Sequence, residues 1–194
     1  MKDLYDGSFA YIFDMDGVLI DSMENYYRAF RDVLFDRLGV RVERDYYLAM
    51  SGSSESFQLN DILARFGLEA DRNELLAAIH NYYLGIMQDG KPIECNVLLL
   101  RLLLKQSVPV AVASGSASGV IRSCLRLCGI EDVPVIVSVE EVKNGKPDPE
   151  AFLLAANKLG FEPKDCVVVE DSDAGAAAAK AAGMRLLRFY DIKI

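Results

Sequence analysis

The chain has 194 residues, 52% of them hydrophobic, which is enough to bury the core of one ordinary domain or of a core domain carrying a smaller insertion. Acidic residues outnumber basic ones, 29 to 21, and the net charge of −8 argues against nucleic acid or an anionic membrane as a partner; an anionic substrate must be held by specific donors or a metal. Residues 1–7 lack the basic start and long apolar stretch of a secretory signal, and no apolar run reaches membrane-spanning length, so a cytoplasmic location is expected.

Tyr11, Ile12 and Phe13 read as a buried strand that runs into Asp14-Met15-Asp16-Gly17. Two carboxylates therefore lie at or just past its carboxyl end, where open parallel sheets bind ligands, and Gly17 lets the backbone turn there. Acids this close repel each other and lose water unless a cation or a proton sits between them. A helix cap or an acidic turn accounts for an isolated pair equally well, so the later strand ends decide its meaning.

From about 21 to 94 the pattern is helical. Met23, Tyr26, Tyr27, Phe30, Val33 and Leu34 recur at three- and four-residue steps, an amphipathic helix that Gly39 closes. Further helices are expected at 43–50, 55–66 and 71–88, separated by Gly52 and Gly67. His80, the single histidine, is assigned no role.

Beyond Asn96, helices at 97–105, 119–128, 149–159 and 174–182 alternate with apolar strands at 108–113, 133–137, 166–169 and 185–189. Such alternation specifies a parallel sheet covered on both faces. The expected fold is α/β, a Rossmann-like doubly wound parallel sheet at 1–19 and 95–194 with a helical bundle inserted at 20–94. Cys95, Cys124, Cys128 and Cys166 read as small core residues, since a zinc site would need further ligands.

The remaining strand ends are polar too. Ser114-Gly115-Ser116 offers a hydroxyl and backbone N–H groups in a turn that opens a helix, which suits a phosphate, although Ser116 or Ser118 capping that helix explains the turn as well. Lys146 precedes Pro147, which restricts its backbone and aims the cation, while Asp148-Pro149 is a helix start. Glu170 and Asp171 follow another strand and add hard oxygen ligands of the kind magnesium prefers; Asp173 is expected to cap the next helix.

On Asp14-Met15-Asp16-Gly17, Ser114, Lys146-Pro147 and Glu170-Asp171, which span nearly the full length, the chain resembles the haloacid dehalogenase superfamily. Within it the likeness is to the subgroup with a helical cap after the first strand, which includes sugar-phosphate phosphatases and β-phosphoglucomutase. The resemblance implies that Asp14 is a nucleophile forming an aspartyl-phosphate and Asp16 a general acid and base. It implies Mg2+ as cofactor, held by Asp14, the backbone carbonyl of Asp16, and Asp171 with Glu170 at hand. Ser114, the Gly115 N–H and Lys146 would hold the transferring phosphate. The helical block becomes a cap hinged near 18–21 and 92–96, and its turn Ser51-Gly52-Ser53-Ser54-Glu55 resembles a loop that reaches the substrate, through Gly52, Ser53 and Ser54; a helix cap explains that turn equally well.

Glu55 stands where the mutase pattern carries an arginine, and no lysine lies between Arg44 and Lys91. Losing both cations argues against a mutase, which must bind a bisphosphate. The implied function is therefore a Mg2+-dependent phosphomonoester hydrolase acting on a small metabolite, a sugar or polyol phosphate. A phosphosugar mutase is the alternative, and a non-catalytic protein on the same fold ranks below it. Dehalogenases need no metal, so Asp16, Glu170 and Asp171 point away from them. The expected partner is a small phosphate ester, without nucleic acid or membrane, and a monomer is expected with a dimer left open.

Overall fold

The computed structural model describes residues 8–50, 53–130 and 132–188. The chain runs through β1 (Ala10–Phe13), β2 (Ile20–Asp21), α1 (Met23–Leu38), α2 (Arg44–Leu48), α3 (Glu55–Phe66), α4 (Arg72–Ile86), β3 (Lys91–Pro92) and α5 (Glu94–Lys105). It continues through β4 (Val110–Ala113), α6 (Ser118–Leu127), β5 (Val135–Val137), α7 (Glu150–Leu159), β6 (Cys166–Glu170), α8 (Asp173–Ala181) and β7 (Arg185–Arg188). The expected end of the last strand, Phe189, lies outside the described residues.

Five strands form one sheet in the order β5-β4-β1-β6-β7, every neighbouring pair parallel. Alternate residues feed two separate cores. Ala10, Ile12, Ala111, Ala113, Cys166 and Val168 face α7 and α8, which answer with Ala151, Phe152, Ala155, Ala156, Ala178 and Ala179. Small side chains on both surfaces let these helices lie close to the sheet. Phe13, Val110, Val112 and Val169 face the other way, against Val97 and Leu100 of α5 and Val120, Ile121 and Leu125 of α6. The sheet is thus covered on both faces, as the apolar strands require.

The block between β1 and α5 is not wholly helical. β2 and β3 form a two-residue antiparallel ribbon, pairing Ile20 with Pro92 and Asp21 with Lys91 where the chain leaves the sheet region and returns. The Asn96 side-chain amide donates to the Val18 carbonyl (2.8 Å), and the Ile93 N–H donates to Leu19 (3.0 Å), tying the two passages together. Inside the block, Tyr26 stacks on Tyr83 with ring centroids 4.0 Å apart, and Tyr47 packs against Phe30. Gly39 ends α1 at φ 70°, a left-handed conformation that glycine adopts without strain.

Cys124, Cys128 and Cys166 are buried as expected, but Cys95 is exposed on the first turn of α5, whose inward face is occupied by Asn96 and Val97. Among the described residues, no helix is long and apolar enough to cross a membrane.

Candidate active site

The polar residues meet because four parallel strands end at the same edge. Asp14 is still in register with β6, its N–H donating to Val169 O (2.9 Å), and Ser114 is in register with β5 through Val137 O (3.1 Å). Lys146 reaches in from the loop before α7, after which the Lys146–Pro147 peptide is cis. Its ammonium donates to Asp14 Oδ1 (2.5 Å) and Glu170 Oε1 (3.1 Å) with its side chain only 6% exposed, and lies 4.9 Å from the centre of the Phe152 ring. Burial works against the ammonium, but Asp14 and Glu170 outweigh it and hold the Lys146 pKa above its usual value.

Glu170 is fully buried and accepts hydrogen bonds from the Ser172 N–H (2.9 Å) and hydroxyl (3.0 Å). Two glycines make room for the acids. A Cβ on Gly175 would overlap the Glu170 carboxylate, and one on Gly17, at φ +80°, would overlap that of Asp171. The N-cap of α8 is Ser172, which accepts from the Gly175 N–H (3.0 Å), and not the expected Asp173. Asp173 already lies in the first turn, where it pairs with Arg188 (2.8 Å).

Asp14, Glu170 and Asp171 each present a carboxylate oxygen within 4.8 Å of the others. Burial, with the neighbouring carboxylates adding to it, pushes Asp14 well above the usual range and Asp171 up to about 6. One lysine does not balance so many buried acids, and a divalent cation among them would. Hard oxygen donors in this arrangement fit Mg2+. The Asp16 carboxylate is not one of the three in that cluster.

The Asp16 carboxylate is instead held by three hydroxyls, those of Ser22, Ser116 (3.1 Å) and Ser114 (3.3 Å). Burial pushes its pKa up to about 6 against these hydrogen bonds. From the sequence alone Ser22 has no role, and Ser116 reads either as part of a phosphate-holding turn or as one of two candidate helix caps. Neither Ser116 nor Ser118 caps α6; the N-cap is Ala117, and the free Ser118 N–H donates to the Glu140 carboxylate (3.1 Å). The only sign of Ser22 in the sequence is its place six residues after Asp16, across the turn.

The helical insert closes the site from above. Ser54 does cap α3, accepting from the Phe57 N–H (3.2 Å), and it also presses on the sheet edge: a Cβ on Gly145 would come within 2.9 Å of Ser54 Cβ. Ser54 thus caps its helix and seats against the sheet edge, and it is not among the residues lining the cavity. Ser53 lines the cavity, while Gly52 lies outside the described residues. A cavity of about 70 Å³ separates the two sides, with Asp14, Asp16, Ser114, Gly115 and Lys146 on the sheet side and Tyr47, Ser53, Glu55 and Gln58 on the insert side. Glu55 pairs with His80 of α4, so the histidine given no role supports a cavity residue.

The haloacid dehalogenase-like hydrolase family profile matches residues 10–183. The chain is 32% identical to β-phosphoglucomutase of Bacillus subtilis (strain 168) over 185 residues, covering 90% of this chain and 80% of that one. It is 31% identical to fructose-1-phosphate phosphatase YqaB of Escherichia coli (strain K12), covering 93% and 96%. The crystal structure of β-phosphoglucomutase from Clostridium difficile superposes with a TM-score of 0.78 at 28% identity, covering 91% of this chain and 82% of that one.

Proposed function

The chain belongs to the haloacid dehalogenase-like hydrolases, and from this we propose that it is a Mg2+-dependent phosphatase of a small sugar or polyol phosphate, working through an aspartyl-phosphate on Asp14. The observation that carries the reading is the unequal setting of the two acids. Asp14 is buried against Lys146, whereas Asp16 stands apart on three hydroxyls with a pKa near that of a group able to give and take a proton. The fructose phosphate named for one relative supports the substrate class.

A carboxylate oxygen of Asp14 attacks phosphorus, and the bond from phosphorus to the alcohol oxygen breaks. Asp16 hands its proton to the leaving alkoxide. It then takes a proton from the water that attacks the acyl phosphate, releasing inorganic phosphate and restoring Asp14. Lys146, Ser114 and the Gly115 N–H hold the phosphoryl oxygens, whose charge is the main thing to be stabilised in this transfer. Asp14, the Asp16 carbonyl, Glu170 and Asp171 would hold Mg2+, which when bound lets an anionic phosphate approach an anionic nucleophile.

Residues 20–94 act as a cap over a core of 1–19 and 95–194, excluding water when closed. Hydrolysis is favoured over mutase chemistry because Lys146 is the one cation among the described residues lining the cavity, so nothing on the insert side grips a second phosphate. Free, largely buried cysteines suit the reducing cytoplasm.

The test is phosphate release from a panel of sugar and polyol monophosphates with Mg2+. Release should stop on chelation and fall about 10,000-fold or more in Asp14→Asn. Full activity in that variant would overturn the nucleophile, and isomerisation without net phosphate release would establish a mutase instead.

A further inference from the structure

Glu55 carries a feature that the reaction just described does not use. It is 8% exposed and lines the cavity from the first turn of α3. Its Oε2 is taken by His80 Nε2, while Oε1 is buried and, alone among the buried side-chain oxygens of the described residues, has no hydrogen-bond partner. The other polar groups on this wall are engaged. The Tyr47 hydroxyl donates to Gln58 Oε1 (3.0 Å), the Gln58 amide to Met50 O (3.2 Å), and the Ser53 hydroxyl to Met50 O (2.6 Å). Native proteins rarely leave a buried acceptor unmade, and where they do the gap calls for a ligand or a functional reason.

Charge and size narrow what could fill it. A carboxylate oxygen only accepts, so the missing partner is a donor. The hydrogen bond to Glu55 raises the His80 pKa despite burial, and Glu140 facing it from the core adds to the effect. With His80 on Oε2, the open Oε1 is an acceptor suited to a hydroxyl donor. Burial and, after it, the neighbouring Glu55 hold the phenols of Tyr26 and Tyr47 far above their usual range. About 70 Å³ is room for several water-sized groups, the reach of a short hydroxylated chain.

We propose that Glu55 selects the leaving group: its Oε1 accepts a hydrogen bond from a hydroxyl on the alcohol half of the substrate, and His80 positions it to do so. The preferred substrates are then monophosphates of polyols or sugars with a free hydroxyl away from the phosphate. Bisphosphates are disfavoured. This rests on the phosphatase reading above.

The experiment measures kcat/KM for a hexitol monophosphate and for analogues in which one hydroxyl at a time is replaced by hydrogen, in wild type, Glu55→Ala and Glu55→Gln. In wild type, one analogue should lose about 100-fold, because a site built to bond a hydroxyl rejects the compound lacking it. In Glu55→Ala the parent and that analogue should come within about threefold of each other, and in Glu55→Gln the preference should shrink about tenfold, both through loss on the parent. The Gln variant keeps the side-chain shape should Ala fail to fold. A deoxy penalty that persists undiminished in both variants, or equal losses on parent and analogue, overturns the role of Glu55 while the phosphatase reading stands. Wild type that releases phosphate from no monoester overturns that reading and this inference with it.

Discussion

The two walls of the cavity are built by different means. On the sheet side, Asp14, Ser114 and Glu170 sit at or one residue past strand ends, and backbone hydrogen bonds to Val169 and Val137 carry the sheet register into the site. On the insert side, Glu55, Gln58 and Tyr47 stand on helices, and side chains hold them: His80 for Glu55, and Gln58 and Tyr47 for each other. On the proposed function, the groups that would meet phosphorus in one geometry are thus fixed by the sheet, which is hard to deform, and those that would meet the variable half of a substrate rest on contacts that a few substitutions can change.

The sharpest way to break this comparison is at the sheet wall. Lys146→Met leaves Asp14 and Glu170, with side chains 7% and 1% exposed, facing each other without a cation. Stability should fall by about 3 kcal/mol in urea denaturation at neutral pH, and added Mg2+ should recover part of it. Unchanged stability would show that the acids do not depend on the lysine.

At the seam between the walls, Gly145→Ala sets a methyl group within 2.9 Å of Ser54 Cβ. The expected result is a loss of about 1 kcal/mol or a little more, with KM raised more than kcat is lowered, because the insert must lift to admit the new atom. If KM does not move, the insert does not seat on Gly145 during catalysis.

The smallest effect belongs to the insert wall. His80 has a folded pKa raised above about 6.5 by its hydrogen bond to Glu55, with burial opposing and the charges of Glu55 and Glu140 adding. Its contribution to stability is therefore complete below the unfolded pKa and disappears as the pH rises through the folded one. Wild type should exceed His80→Gln by about 1 kcal/mol near pH 6, and melts at increasing pH should show the gap closing. A gap that widens over that range would contradict a protonated His80 on Glu55.

Much of the sheet wall was legible in the sequence. Asp14, Asp16, Lys146, Glu170 and Asp171 each follow or approach a short apolar run, and a parallel sheet brings such ends to one edge. The capping of α8 by Ser172 was not, because Ser172 and Asp173 are adjacent residues of equal capping propensity. The β2–β3 ribbon was missed because two-residue strands have no period to detect.

By itself, then, the sequence determined the order of elements, the two-sided sheet and the set of polar residues at its edge, since strand and helix periods are local and the parallel connection follows from them. Only the tertiary structure decided which groups share a hydrogen bond. Ser116 meets Asp16 across 100 residues and His80 meets Glu55 across 25, and nothing local records partners so far apart. Such pairings exist because burial leaves a polar atom little choice but the partners that packing brings within reach, and packing left Glu55 Oε1 buried without one.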